Sequence, residues 1–152
     1  MKVFSKSWSI WLPITLEQAW NFFSRPENLK LITPPAMKFE LQSEILNIEM
    51  YEGMFIRYSV RPLMGIALNW ATEITHINPL QYFVDEQRSG PYTIWHHEHH
   101  FKTKDQGVQM DDLLHYALPF GFIGQWVNEA FISDKIDRIF AYRAKELKTR
   151  FV

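Results

Sequence analysis

The stretch YTIWHHEHHFKTKDQGVQMDDLLHYAL, residues 92–118, decides the fold, because two runs of β-type residues flank a short polar turn. The runs at 92–102 and 107–118 predict two strands, and the turn KDQG between them predicts an antiparallel hairpin. Four of the chain's six histidines fall within five positions of the first strand. The hairpin therefore fixes the architecture and poses the question of whether these imidazoles meet a metal, a ligand, the core or water.

Side chains on a strand alternate between two faces, so the histidines divide into two pairs. One face is bounded by two aromatic residues and is predicted to point inward; it carries Trp95, His97, His99 and Phe101. The other face is mainly polar, and its His96 and His100 are predicted to meet solvent. Only His97 and His99 are expected to point into the interior.

The second strand of the hairpin offers a carboxylate to this inner face. Its more apolar face includes Asp112 and, four residues later, Tyr116. Pairing Phe101 with Val108 across the turn places His97 opposite Asp112. Opposed side chains have Cβ atoms about 5 Å apart, so a contact between His97 and the Asp112 carboxylate is predicted.

The strand before the hairpin adds further polar groups. Asp85 and Gln87 share one of its faces, and a turn at SGP can bring Asp85 beside His97. A register slipped by one residue would instead turn Asp85 outward, because Tyr82 and Val84 also suit an inward face. Both registers remain open from the sequence.

The predicted inward patch combines carboxylates, imidazoles, an amide and a phenol with apolar neighbours. It contains Asp85, Gln87, His97, His99, Asp112 and Tyr116, set among Phe83, Trp95, Phe101 and Met110. Each polar group left unpaired in an interior costs about 1–3 kcal/mol. These groups must therefore satisfy one another, trapped waters, a metal or a ligand, since an ordinary core would use Val and Leu there.

The rest of the chain predicts a sheet with a helical cover. Further strands are predicted near 3–12, 37–48, 53–61, 66–77 and 80–88. A short helix follows the capping box TLEQ at 15–18, a second opens at SRPENLKLI, and a long helix runs from Gln125 to about Arg150. An antiparallel sheet with one apolar face needs a cover, and the long helix has the length and the apolar stripe to supply it. If the sheet curves, the space between the two becomes a cavity.

Bulk composition limits the classes of partner. The chain has 152 residues, a net charge of −1, no cysteine and 16% aromatic residues. It suits a single domain, 1–152, and no charge excess recruits nucleic acid. Disulfides and thiolate metal sites are excluded, and no window is apolar enough for a signal peptide or a membrane span. We expect a soluble, cytoplasmic monomer or homodimer with no nucleic-acid or integral-membrane partner.

Four segments carry a resemblance to a known family: WLPITLEQAWNFFSRPENL, EGMFIRYSVRPLMGIALNWATEI, FVDEQRSGPYTIWHHEHHF and GVQMDDLLHYALPFG. On these the chain resembles the SRPBCC superfamily, also called START-like or polyketide-cyclase/dehydrase-like, and within it a bacterial ligand-binding branch sometimes labelled cell-division-inhibitor-like. The resemblance covers nearly the whole length. It implies the α+β helix-grip fold, in which a curved antiparallel sheet of about seven strands wraps a long C-terminal helix and two short helices join strands 1 and 2.

The resemblance also implies a pocket, lined by Asp85, Gln87, Trp95, His97, His99, Asp112 and Tyr116. The superfamily includes lipid and sterol carriers, hormone receptors, aromatic cyclases and oxygenase domains, so it implies a fold and not one function. The first hypothesis is that a small hydrophobic or amphipathic molecule, lipid-like or polyketide-like, binds in a cavity between sheet and helix. Trp70, Met110 and Phe131 join the predicted wall, and no cofactor is expected.

Catalysis is the alternative hypothesis. An imidazole held by a carboxylate is prepared to act as a general base, so His97 oriented by Asp112 could take a proton α to a carbonyl. Tyr116 or His99 could then donate to the developing oxyanion. The reaction would be a cyclisation, dehydration or isomerisation without a cofactor.

Two further hypotheses rank below these. His97 and His99, with Asp112 or Asp85, could bind a metal, but HHEHH lacks a third ligand at a diagnostic interval. A protein-interaction role would use the outer face of the sheet, where the sequence predicts only ordinary solvated residues. No phosphate-binding loop, nucleophile elbow or dinucleotide-binding glycine pattern occurs in the sequence.

Overall fold

The computed structural model describes residues 1–63 and 65–152 and arranges them as an antiparallel sheet against a long C-terminal helix. The elements in chain order are β1 (Phe4–Leu12), α1 (Leu16–Phe23), two 3₁₀ helices (Pro26–Ile32 and Pro35–Met37), β2 (Glu40–Leu41), β3 (Phe55–Leu63), β4 (Ile66–Asn78), β5 (Tyr82–Ser89), β6 (Ile94–Lys104), β7 (Gly107–Ala117), α2 (Gly121–Val127), a π-helical turn (Asn128–Ile132) and α3 (Ser133–Arg150). The α+β class and the helix-grip architecture predicted from the sequence are confirmed.

The strand order explains how the sheet can enclose a space. Within the described residues the order is β1-β7-β6-β5-β4-β3-β2, so β3 to β7 pair as successive hairpins and β1 joins β7 at the far edge. Register shifts within β3–β4 and β4–β5 mark β-bulges, for example between Ala71 and Thr72. Bulges bend a strand and increase its twist, so they help the sheet wrap around α3.

The first helix begins where the sequence predicts. The Thr15 hydroxyl accepts a hydrogen bond from the Gln18 amide at 3.2 Å, and the Gln18 side chain accepts one from the Thr15 amide at 2.9 Å. This reciprocal pair is the predicted capping box, which satisfies backbone donors that the first turn leaves free. None of the described helices combines the length and apolar composition that crossing a bilayer requires.

The strand predicted at 37–48 is wrong for most of its length. Only Glu40–Leu41 pairs with the sheet, next to β3. Lys38 and Asn47 have φ values of 46° and 61°, a left-handed conformation that interrupts an extended strand. The segment between them is therefore mainly irregular, although its apolar residues resembled a strand in sequence.

The C-terminal helix starts earlier than predicted and changes its winding. It begins at Gly121 rather than Gln125, and the π-helical turn separates α2 from α3. A π turn holds more residues than an α turn, so it rotates the following side chains relative to an uninterrupted helical pattern. Phe131 lies in this turn and is 64% exposed. The prediction that Phe131 lines the cavity is wrong for this reason.

The central hairpin turns in only two residues. Asp105 and Gln106 form the loop, with φ values of 49° and 60°, as a type I′ turn requires. His99 therefore lies opposite Asp112, and the predicted register, with His97 opposite Asp112, is wrong by two residues. A shift of two preserves the face of every side chain, so the predicted inward residues remain inward.

Candidate functional site

A cavity of about 230 Å³ lies between the sheet and α3. Most of its wall is apolar or aromatic, and one part is charged. The lining includes Phe22, Phe23, Leu29, Ile56, Tyr58, Trp70, Thr72, Ile74, Phe83, Tyr92, Trp95, Ile136, Ile139 and Phe140, together with Asp85, His97, His99 and Arg143. The interior therefore combines a large apolar surface with a few convergent polar groups.

Aromatic rings form one side of this cavity. Trp70 stacks on Tyr58 with ring centroids 5.8 Å apart and meets Trp95 edge-on at 5.2 Å. Tyr92 packs against both tryptophans. Burial raises the pKa of both Tyr58 and Tyr92, so each phenol stays protonated and neutral at physiological pH.

Three neighbouring strands bring the charged groups together. Asp85 on β5 lies opposite His97 on β6, as one of the two predicted registers required, and His99 on β6 lies opposite Asp112 on β7. His97, His99 and Asp112 are 3%, 6% and 4% exposed. We call Asp85, His97, His99 and Asp112 the acid–imidazole cluster.

Each imidazole of the cluster lies between both carboxylates. Nε2 of His97 is hydrogen-bonded to Oδ1 of Asp112 at 2.9 Å, and its Nδ1 lies 3.5 Å from Asp85. Nε2 of His99 is hydrogen-bonded to Oδ2 of Asp85 at 2.7 Å. Nδ1 of His99 is 3.0 Å from Oδ1 of Asp112 but lies outside hydrogen-bonding direction. The four side chains of the cluster therefore contact one another closely.

His99 is the imidazole of the pair whose charged form the site favours. Both nitrogens of His99 lie within 3.0 Å of a carboxylate oxygen, so a neutral ring would hold one lone pair close to an anion, although only Nε2 is aligned for a hydrogen bond. Burial alone would lower the pKa of His99, but the neighbouring carboxylates of Asp112 and Asp85 outweigh burial and raise it. His99 is thus a buried cation between two anions.

His97 is the neutral partner. Burial lowers its pKa, and the adjacent His99 lowers it further, although the hydrogen bond to Asp112 acts in the opposite direction. Its Nε2–H therefore donates to Asp112, which leaves Nδ1 as an acceptor. For Asp85 and Asp112, burial would raise the pKa, but contacts with the two imidazoles lower it and keep both acids ionised.

Arg143 on α3 is the site residue that sequence reasoning missed. It is 9% exposed, lines the cavity and places its guanidinium 4.6 Å over the ring of Phe140. Its Nη1 lies 3.6 Å from Oδ1 of Asp112, longer than a hydrogen bond. The available signal was its position on the buried stripe between Phe140 and Leu147, where a helix normally carries apolar residues.

Five of the predicted site residues line the cavity: Trp70, Asp85, Trp95, His97 and His99. Asp112 does not; it lies behind the imidazoles and contacts them from the side of β7. Met110 is fully buried in the main apolar core. Their sheet face was predicted correctly, but a residue on the inner face can still be covered by its neighbours.

Gln87 and Tyr116 have structural partners instead of a place in the wall. The Gln87 amide donates to the Tyr92 carbonyl at 2.6 Å and accepts from the Tyr92 backbone N–H at 3.2 Å, so it holds the turn between β5 and β6. The Tyr116 hydroxyl donates to Oδ1 of Asn128 at 2.7 Å. Because that proton already has an acceptor, the predicted role of Tyr116 as an oxyanion donor is not supported.

Asp85, His97 and His99 could also hold a metal ion. Each offers one ligand atom, and the three atoms lie within 4.8 Å of one another. Two imidazole nitrogens and a carboxylate oxygen suit zinc or a divalent transition metal, and Asp112 would orient both rings. Nε2 of each imidazole already pairs with a carboxylate oxygen, while Nδ1 of His99 has no aligned partner, so a metal would replace existing contacts.

Known proteins resemble this chain in structure. No family model matches the sequence, and no curated protein matches it. Among solved structures, the ginseng major latex-like protein 151 from Panax ginseng superposes with a TM-score of 0.71 at 12% identity, covering 99% of this chain and 98% of its own.

Two other solved structures agree with this result. Ara h 8.0201 gives a TM-score of 0.63 at 11% identity over 96% of this chain and 98% of its own. A protein from Thermus thermophilus gives 0.67 at 17% identity over 97% of this chain and 96% of its own. At such identities the similarity concerns the fold alone. The chain has the helix-grip fold that these solved structures share.

Proposed function

We propose that this protein binds a small amphipathic molecule, whose apolar body lies against the aromatic wall and whose polar end meets the charged part of the cavity. The observation that carries the proposal is a cavity of about 230 Å³ that is apolar over most of its wall and charged at one cluster. Small-molecule sites in proteins are usually built in this way.

The buried charges support a binding site over a loosely packed core. Taking ions out of water costs several kcal/mol for each, and replacing a buried ion pair with apolar residues is often neutral or stabilising. A fold that needed only stability would gain little from ionised Asp85, Asp112 and His99, together with Arg143, beside a cavity. Their presence supports recognition of a polar group on a bound molecule.

The direct test is to fill the cavity and measure binding. Ile139 lines the cavity on α3, whereas Ala141 on the same helix is exposed. We expect Ile139→Trp to weaken binding of the uncharged probe N-phenyl-1-naphthylamine by about tenfold or more, because the indole occupies the space that the probe needs. Ala141→Trp should bind the probe like the wild type.

Native mass spectrometry offers a second readout for the same proposal. After mild purification, the wild type is expected to carry a non-covalent organic mass that Ile139→Trp lacks. If the wild type neither carries such a mass nor binds the probe, or if both tryptophan variants bind it equally, the proposal is wrong.

A second candidate function, proton transfer, is supported by one observation. His97 lines the cavity, and its Nε2 is held 2.9 Å from Asp112, which leaves Nδ1, 3.5 Å from Asp85, as the basic nitrogen. A positioned imidazole of this kind can remove a proton α to a carbonyl. The reaction would proceed through an enolate, with the proton held on His97 and returned to carbon or oxygen.

This second candidate has its own test. Exchange of the methyl protons of 2-acetylnaphthalene in D₂O can be followed by NMR with and without protein. Catalysed exchange that His97→Gln abolishes while the variant still binds the ketone would support proton transfer. Exchange at the buffer rate with wild-type protein would leave binding as the function.

A further inference from the structure

Besides Nδ1 of His99, which already lies 3.0 Å from Asp112, two N–H donors in the cavity wall have no acceptor among the described residues. Nε of Arg143 and Nε1 of Trp70 are buried and have no acceptor among those residues, and both side chains line the cavity. Each of these atoms carries an N–H and can only donate. An unpaired buried N–H is costly, so these two mark the positions where a bound molecule would offer acceptor atoms.

The charges at this part of the cavity already balance. Asp85 and Asp112 are anions, and His99, between them, is a cation because its nitrogens lie 2.7 and 3.0 Å from their oxygens. Arg143 supplies the second positive charge. His97, Tyr58 and Tyr92 are neutral. A further charge on the ligand would therefore enter a low-dielectric site without a counter-ion.

Two other cations line the cavity, Lys135 and Arg25. Both are only partly buried, so they are solvated, and neither pairs with the acid–imidazole cluster. Their charge is screened by water and does not alter the balance around Arg143.

We propose that the molecule bound in this cavity carries an uncharged hydrogen-bond acceptor, such as a ketone, quinone or ester carbonyl, that accepts from Arg143 and Trp70. The proposal rests on the proposed binding function and narrows it to one ligand class. It disfavours fatty acids and other carboxylates, which would add a negative charge. It also disfavours amines, which would bring donors to atoms that need acceptors.

Three probes of one shape test the charge and the acceptor separately. 2-Acetylnaphthalene, 2-naphthoate and 2-ethylnaphthalene share a ring system and differ at one end. Their affinities are measured by equilibrium dialysis with protein freed of metal by EDTA. We expect the ketone to bind about tenfold more tightly than the hydrocarbon, because two hydrogen bonds are gained, and more tightly than the carboxylate.

Two variants with matched controls assign the donors. Arg143→Met keeps an apolar chain but removes the guanidinium, and Trp70→Phe keeps an aromatic wall but removes the indole N–H. Each should reduce ketone affinity several-fold and leave hydrocarbon affinity unchanged. Arg138→Met and Trp126→Phe, which change exposed residues of the same types, should reduce neither. If Arg143→Met does not fold, Trp70→Phe still decides the test.

The carbonyl stretch of the bound ketone reports the hydrogen bonds directly. In the wild type it should lie at a lower wavenumber than in a hydrocarbon solvent, and Arg143→Met should move it back. Equal binding of ketone and hydrocarbon, preference for the carboxylate, or an unshifted carbonyl stretch would each overturn the inference and leave the proposed binding function standing. If none of the three probes binds, the proposed function falls together with the inference.

Discussion

The two faces of β6 hold the same residue types in different environments. On the inner face, His97 and His99 are almost fully buried and share Asp85 and Asp112. On the outer face, His96 and His100 are also paired with acids, but their side chains are 32% and 45% exposed. An acid–imidazole contact alone therefore does not mark a site, because both faces have such contacts.

What differs is the cost of losing a partner. Outside, water replaces a lost carboxylate, and exposed ion pairs contribute about 0–1 kcal/mol. Inside, the remaining ion stays desolvated, so breaking a buried pair costs about 3–5 kcal/mol. The polar side chains of the inner face are therefore held in fixed positions, and a ligand would meet them there.

The largest expected effect comes from removing the shared inner carboxylate. Asp112→Asn keeps the shape of the side chain but removes the carboxylate that lies beside His97, His99 and Arg143, so we expect a loss of about 3 kcal/mol in the free energy of unfolding. Urea denaturation at constant pH measures it. The matched control is Asp111→Asn, one residue away on the outer face, where the carboxylate contacts Ser9, Gln109 and Lys102.

The control should lose no more than about 1 kcal/mol, because water can solvate the groups that Asp111 leaves. Equal losses for the two asparagine variants would contradict the expectation that a carboxylate on the inner face contributes more to stability than one on the outer face. They would indicate that the inner cluster is open to solvent.

The inner face itself should respond to pH in two opposite ways. The folded-state pKa of His99 is raised, so its stabilisation is complete below its unfolded pKa of about 6.5 and is lost as pH rises through the folded pKa. The stability advantage of the wild type over His99→Gln should therefore shrink as the pH rises above about 6.5. Urea denaturation of both proteins across that range measures the difference.

The contribution of His97 to the free energy of unfolding should depend on pH in the opposite direction. Its folded-state pKa is lowered, so the unfolded chain binds the proton more readily, and the wild type loses stability as pH falls below about 6.5. The advantage over His97→Gln should then shrink toward low pH. NMR of labelled imidazoles provides the check, with a charged His99 beside a neutral His97 near neutral pH; two charged or two neutral rings would contradict the assignment.

Alternation was enough to predict the faces of β6, because a buried and a solvated face force opposite chemistry onto odd and even positions. It could not predict register. The loop at Asp105 and Gln106 takes two left-handed residues that are not glycine, and their sequence resembles a longer polar turn. Consequently, the sequence predicted the contact between His97 and Asp112 correctly but not the register in which β6 and β7 pair.

The part of the site that the sequence did not predict depends on contacts between distant parts of the chain. Arg143 reaches the acid–imidazole cluster only because α3 crosses the sheet, and no local pattern states which strand residue it meets. The π turn likewise depends on packing, and it changes the directions in which the following side chains point. Phe131 therefore fits the α-helical spacing in sequence, although the backbone is not α-helical there. Sequence periodicity describes one element at a time, whereas a cavity is formed between elements.

The smallest expected effect lies on the outer face and should disappear in salt. Nδ1 of His96 is hydrogen-bonded to Glu86 at 2.6 Å, and although burial alone would lower the pKa of His96, Glu86 and Glu98 raise it. His96→Gln should nonetheless reduce the free energy of unfolding by less than about 1 kcal/mol, since these charges are largely solvated. In about 1 M NaCl the loss should approach zero, while that of Asp112→Asn should persist, because buried pairs are screened far less than exposed ones. A salt-resistant loss at His96 comparable to the inner one would mean that solvent exposure is not what separates the two pairs.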